Sequence, residues 1–201
     1  AESINNVTIP VVVHVVYSNA QNNISDSRIF SQIQVLNEDF RRTNSDAINT
    51  PSQFQSVVAD MSINFCLATK DPDGNPTNGI IRKFTNKSGF SLYDTTIHYN
   101  ATGGSDAWDS DKYLNIWVCN INCGVLGWAQ FPYAGTKETD GVVINHDNFG
   151  INLNYSSAYN LGRTTTHEVG HWLNLFHVWG DNTCGDDFVF DTPTQEQANY
   201  G

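Results

Sequence analysis

Residues 167–177 read HEVGHWLNLFH, and the spacing of their histidines organises the rest of the chain. On an α-helix, residues four apart lie one above the other on one face. His167 and His171 can therefore both offer an imidazole nitrogen to one Zn²⁺, at roughly 2.0–2.1 Å each. Glu168 sits one residue round the helix from His167, close enough to act as general base without joining the ligands.

A third protein ligand completes a site that keeps one position open for chemistry. His177 is the candidate, six residues past His171. On a straight helix six residues rotate the side chain by about 240° net, away from the metal. The helix must therefore end between the two histidines. Gly is the usual residue at such a left-handed turn. Asn174 stands there instead, and Asn is the next most tolerant residue for that conformation. Chance places HExxH in about one such chain in two hundred, and adding His177 lowers this to about one in ten thousand. Three of the six histidines fall in these eleven residues. His14, His98 and His146 read as ordinary satisfied polar groups.

Upstream of this helix, assigned to residues 159–176, the chain reads mainly as strands. The β-branched run IPVVVHVVY, 9–17, predicts a buried strand. Ile29, Ile33, Leu36 and Phe40 recur at helical spacing and predict a helix over 26–43, with Ser25 as N-cap and Thr50-Pro51 as breaker. Further strands are expected at 62–69, 114–119 and 141–145. Residues 125–131 (VLGWAQF) suit an edge strand, because their Gly and the following Pro132 fit an edge. Residues 70–79 form a turn cluster, and 86–112 an irregular connection. The whole predicts an α+β sheet with two principal helices and an irregular C-terminal piece.

Among the 201 residues, 10 basic side chains face 21 acidic ones, for a net charge of −11. That argues against nucleic-acid binding and against docking on an anionic membrane. No apolar run approaches the roughly 20 residues of a membrane span. Only 15% of residues are charged, and this sparse, acidic composition leans toward a secreted protein whose signal peptide has been removed. Cys66 can pair with Cys119, or Cys119 with Cys123, or all can remain thiols. Asp181, Asp186, Asp187 and Asp191 crowd the loop after the zinc helix, and hard oxygen ligands on such a loop suit Ca²⁺.

The pattern HExxHxxNxxH resembles the metzincin zinc signature. YNLGRTTTHEVGHWL (159–173), LGWAQFP (126–132), DGVVI (140–144) and Asp191-Thr192-Pro193 resemble the pappalysin family of that class. The resemblance runs from about Ile9 to the chain's end. It implies a secreted zinc endopeptidase made as a zymogen, with an inhibitory propeptide and a protein or peptide substrate. The implied fold is a zincin-like metzincin catalytic domain: a twisted mixed sheet of about five strands, a backing helix and an active-site helix. Residues 1–174 would form the upper subdomain and 175–201 the start of an irregular lower one.

Leu126, Gly127, Trp128 and Ala129 would be the upper rim of the cleft, binding an extended peptide by strand addition. Calcium would take side chains from Asp187 and Thr192 and carbonyls near Asp186 and Val189, with Asp191 in the same loop. A metzincin also places a Met-turn beneath the metal, after the third His. The only Met is Met61, so the expectation is a chain that stops before the Met-turn, with the remainder as a separate C-terminal fragment. Cys184 would lose a partner there. Val178 lacks the acid that astacin-like and reprolysin-like branches carry after the third His. A zinc-stabilised but inert binding module is the rival from another class.

Overall fold

A computed structural model describes residues 6–198. The run at 9–17 lies in β1 (Val7–Tyr17), whose residues 11–16 are all buried. A strand so apolar on both faces needs neighbours on both edges and cover on both sides, and the fold supplies them. The other strands are β2 (Ile63–Leu67), β3 (Ile80–Phe84), β4 (Leu114–Cys119), β5 (Gly127–Ala129) and β6 (Val142–Asn145). The sheet order is β2-β1-β4-β6-β5, with β3 also paired to β1. β2 occupies the first half of one β1 edge, Val7–Val11, and β3 the second half from Val13. All pairs are parallel except β5 with β6. The sheet thus has six strands, one more than expected. The added strand is β3, IIRKF, whose two apolar residues followed by two charges show no alternation.

Helices α1 (Asp26–Phe40) and α2 (Arg163–Trp172) cover one face. Val11, Val13 and Val15 meet Ile29, Leu36 and Phe40 there, and Val169 joins them. The connection over 86–112 covers the other face. It contains two 3₁₀ turns, Thr95–His98 and Asn100–Thr102, and packs Phe90 and Ile97 on Trp117, Trp128 and Val143.

Both helices are shorter than expected, for identifiable reasons. Ser25 does cap α1, its side chain accepting from the Arg28 N–H. The helix ends at Phe40, well before Pro51, because Arg42 turns left-handed at φ 51° and the Thr43 N–H closes on the Glu38 carbonyl at 2.8 Å. Helix α2 cannot begin at Tyr159, since Gly162 at φ 79° marks its start. Among the described residues, no helix or strand follows Trp172.

All four cysteines are free thiols, and the register excludes one expected pairing. Cys66 lies opposite Pro10, and Cys119 follows Val118, which lies opposite Val15. Their Cα atoms are thus two strand spacings and about 20 Å of strand apart, against the ~7 Å a disulfide tolerates. Cys119 is fully buried, while Cys123 is exposed. The partner expected for Cys184, beyond Asn199-Tyr200-Gly201, lies outside the described residues.

Candidate metal centre

Helix α2 ends where the histidine spacing requires it to. Asn174 adopts φ 75°, and the Leu175 N–H returns to the Gly170 carbonyl at 2.9 Å. The turn reverses the chain and returns His177 to the face carrying His167 and His171. The three Nε2 atoms lie 3.0, 3.1 and 3.2 Å from one another. This is the one cluster of metal-ligating side chains among the described residues.

The donor set fits a zinc ion on two counts. A tetrahedral site with Zn–N of roughly 2.0–2.1 Å spaces its nitrogens about 3.3 Å apart. Proton placement also agrees. The Nδ1–H of His171 donates to the Leu175 carbonyl at 2.7 Å, and that of His177 donates to Asp181 Oδ1 at 2.6 Å. Both acceptors fix the tautomer, leaving each Nε2 a lone pair aimed at the common centre. Burial, with His171 and His177 alongside, pushes His167 down to about 4, so this imidazole is neutral near pH 7.

Glu168 is buried on the same helix, and burial pushes its carboxyl up to about 7. It borders a cavity of about 350 Å³ with Leu126, Gly127, Tyr159, Arg163, Thr164 and His167. β5 stands above it as the sheet's edge strand, and its outer side pairs with no strand among the described residues. The pairing with β6 is prolonged by the Asn145 N–H to the Leu126 carbonyl, 2.8 Å, and the Gln130 N–H to the Gly141 carbonyl, 3.0 Å. The pleat divides the rim residues. Ala129 packs toward the helices, whereas Trp128 is buried on the opposite face. Gly127 is a close approach: a Cβ there would lie 2.9 Å from the Val143 carbonyl oxygen and 3.1 Å from Glu168 Cγ.

Three contacts of the site escaped the sequence reading. Asp181, one of the loop acids, holds the Nδ1–H of His177 from four residues further along the chain. Trp179 stacks on His177 at 4.3 Å and 7°, and Phe131 packs on His171 at 5.1 Å. Of the remaining histidines, His14 is satisfied by Ser105 and Asn115, the buried Nδ1 of His98 has no hydrogen-bond partner, and that of His146 faces Asp147 Oδ1 at 3.3 Å without a well-formed hydrogen bond.

In the following loop, Asp186, Asp187, Val189 and Thr192 line one cavity of about 620 Å³, and Asp191 is not among its walls. Asp187 is buried, and its Oδ1 accepts from the Val189 N–H at 3.0 Å. Asp186 accepts from the Phe188 N–H at 2.7 Å.

The sequence model of the Peptidase_M43 family, described as pregnancy-associated plasma protein-A, matches residues 98–200. An extracellular metalloprotease of Arthroderma gypseum is 31% identical over 98% of this chain and 58% of its own length. One of Arthroderma benhamiae is 29% identical over 97% of this chain and 62% of its own. The chain thus spans about three fifths of such relatives. Among solved structures, mature mirolysin of Tannerella forsythia in complex with a cleaved peptide superposes with a TM-score of 0.94. It is 50% identical, covering 97% of this chain and 74% of that one. A promirolysin mutant gives the same TM-score and identity, covering 98% and 66%.

Proposed function

The chain belongs to the Peptidase_M43 family, the pappalysins its zinc signature resembles, and on that premise we propose that it is the catalytic part of a zinc-dependent endopeptidase. The mutual approach of the three Nε2 atoms beside a buried glutamate carries this reading. His167, His171 and His177 are the proposed ligands. Zinc bound there supplies Lewis-acid polarisation of a peptide carbonyl and acidifies water. Glu168 takes the water's proton and returns it to the leaving amine, a role that suits a carboxyl poised near neutrality. The open edge over Leu126, Gly127, Trp128 and Ala129 binds the substrate backbone in extended form, and the cavity beneath receives a side chain.

The test is cleavage of casein or a fluorogenic peptide by the zinc-loaded chain and by Glu168→Ala, with chelation and zinc add-back. Equal cleavage by both proteins sinks the assignment. A longer form that cleaves while this chain binds zinc and does not would favour the inert-module reading.

The relatives' names support action outside the cell, and among the described residues no helix is long and apolar enough to cross a membrane. The existence of a promirolysin supports an inhibitory propeptide. We also propose that residues 1–174 belong to the upper subdomain and 175–201 to a lower one. The cavity at Asp186, Asp187, Val189 and Thr192 is the proposed calcium site, with Asp191 in the same loop but outside its walls. Calcium added to zinc-loaded protein should raise its melting temperature, and no change would dismiss the site.

A further inference from the structure

The buried stripe of α1 contains one polar side chain, Gln32, fully buried among Ile29, Val35 and Leu36. A buried amide is costly unless its hydrogen bonds are made, and Gln32 makes three, two to the segment leading into α2 and one to the first turn of α2 itself. Its Nε2 donates to the Gly162 carbonyl at 3.0 Å. Its Oε1 accepts from the Gly150 N–H at 2.6 Å and from the Thr165 hydroxyl at 2.8 Å. The chain therefore leaves α1 at Gly150 and returns to the same side chain at Gly162. A bridge between Ile151 and Leu161 joins the two arms. Both glycines allow the close approach. A Cβ on Gly150 would lie 2.3 Å from the Arg28 carbonyl oxygen, and one on Gly162 3.1 Å from Gln32 Oε1.

We propose that Gln32 is a positioning residue for Glu168, setting where α2 lies against the rim strand β5. This rests on the endopeptidase reading and adds to it the group that holds the general base in register with the bound peptide. Thr165 precedes Glu168 by one helical turn, so anchoring its hydroxyl fixes the rotation that aims the carboxylate. The metal ligands ride on the same helix, which Thr166 and Arg163 also tie to Asp39 of α1 at 2.7 and 2.9 Å. His167 and His171 lie on α2, and His177 is carried by the turn that the His171–Leu175 bond closes, so the three move with the helix. Gly127 belongs to β5 and does not. A loosened Gln32 therefore changes the spacing between Glu168 and a peptide on β5, while leaving the three nitrogens together.

The test compares Gln32→Met, which keeps the length and loses all three bonds, with Thr165→Val, which loses one and keeps the shape. The expected result for zinc-loaded Gln32→Met is a kcat about 10- to 100-fold lower, with zinc Kd within about threefold of wild type. Thr165→Val should lower kcat by about three- to tenfold, with KM unchanged. A lower melting temperature with unchanged kcat overturns the proposal, as does a zinc Kd that weakens in step with kcat. Hydrogen exchange separates this proposal from the reading beneath it. In zinc-loaded Gln32→Met, exchange over residues 150–168 should rise at least about tenfold, while that of β2 stays constant. Unchanged exchange there overturns the positioning role even if the wild-type chain proves inactive, whereas an inactive wild type with the expected exchange overturns only the endopeptidase reading.

Discussion

Asp181 accepts the Nδ1–H of His177 at 2.6 Å, so the last of the three clustered imidazoles is oriented by a carboxylate four residues further along the chain. Such a partner fixes the tautomer and raises the basicity of the ligating nitrogen. Asp181→Ala should weaken zinc binding by about 10- to 100-fold, measured by competition with a chromophoric chelator. Asp186→Ala, in the same loop but away from the histidines' hydrogen bonds, should leave zinc affinity unchanged.

Asn174 holds φ 75° at the turn that returns His177 to the cluster. An L-residue pays about 1–2 kcal/mol for that conformation, less for Asn, and Gly nothing. Asn174→Gly should therefore match or slightly exceed wild-type stability. Asn174→Val should lose about 1–2 kcal/mol, read from the midpoint of urea unfolding.

Gly127 leaves no room for a side chain between β6 and Glu168. A Cβ would lie 2.9 Å from the Val143 carbonyl oxygen, and backbone cannot yield as a side-chain tip can. Gly127→Ala should push the rim strand and Glu168 apart and lower kcat/KM about 100-fold, the effect of a misplacement of about 1 Å. Far-ultraviolet circular dichroism should be unchanged.

Stability should fall on acidification through a group far from the histidine cluster in the chain. His14 is fully buried, stacked on Trp117, and held by Ser105 and Asn115. Burial pushes it down to about 4, opposed by the Asn115 bond and Asp106, with His98 adding to the fall. His98 is also pushed down to about 4 by burial, opposed by Asp94. In the unfolded chain both protonate near 6.5. Above that pH they are neutral in both states and folding is undisturbed. Between about 6.5 and 4 the unfolded state binds protons that the folded state refuses, so stability declines as pH falls through this window. Denaturant titrations at pH 7, 5.5 and 4.5 should show the decline, and His14→Leu should flatten its slope while lowering stability overall.

Much of this molecule is legible from residue order, where the deciding interactions are local. The i,i+4 spacing of His167 and His171 is a property of any α-helix, and the need for a turn before His177 follows from 3.6 residues per turn. Residues 11–16, five valines and a histidine, declare a central strand because a run so apolar on both faces needs neighbours on both edges. Sequence reading weakened where a non-local partner ruled. Ile80–Phe84 became a strand because the second half of a β1 edge, beyond β2, was unfilled. The irregular connection over 86–112 acquired its place because Trp117 and Val143 needed cover.

The identity and spacing of the ligands, the general base and the edge character of 125–131 were thus set along the chain. Where the helix that carries them lies was settled by contacts between residues more than a hundred positions apart. Gln32 meets Gly150, Gly162 and Thr165 only because parallel strands carry α1 and α2 to the same face of the sheet. A glutamine on an otherwise apolar helix stripe gives no sign of its partners, since a hydrogen bond depends on where two atoms lie in space and leaves no periodicity in the order of residues.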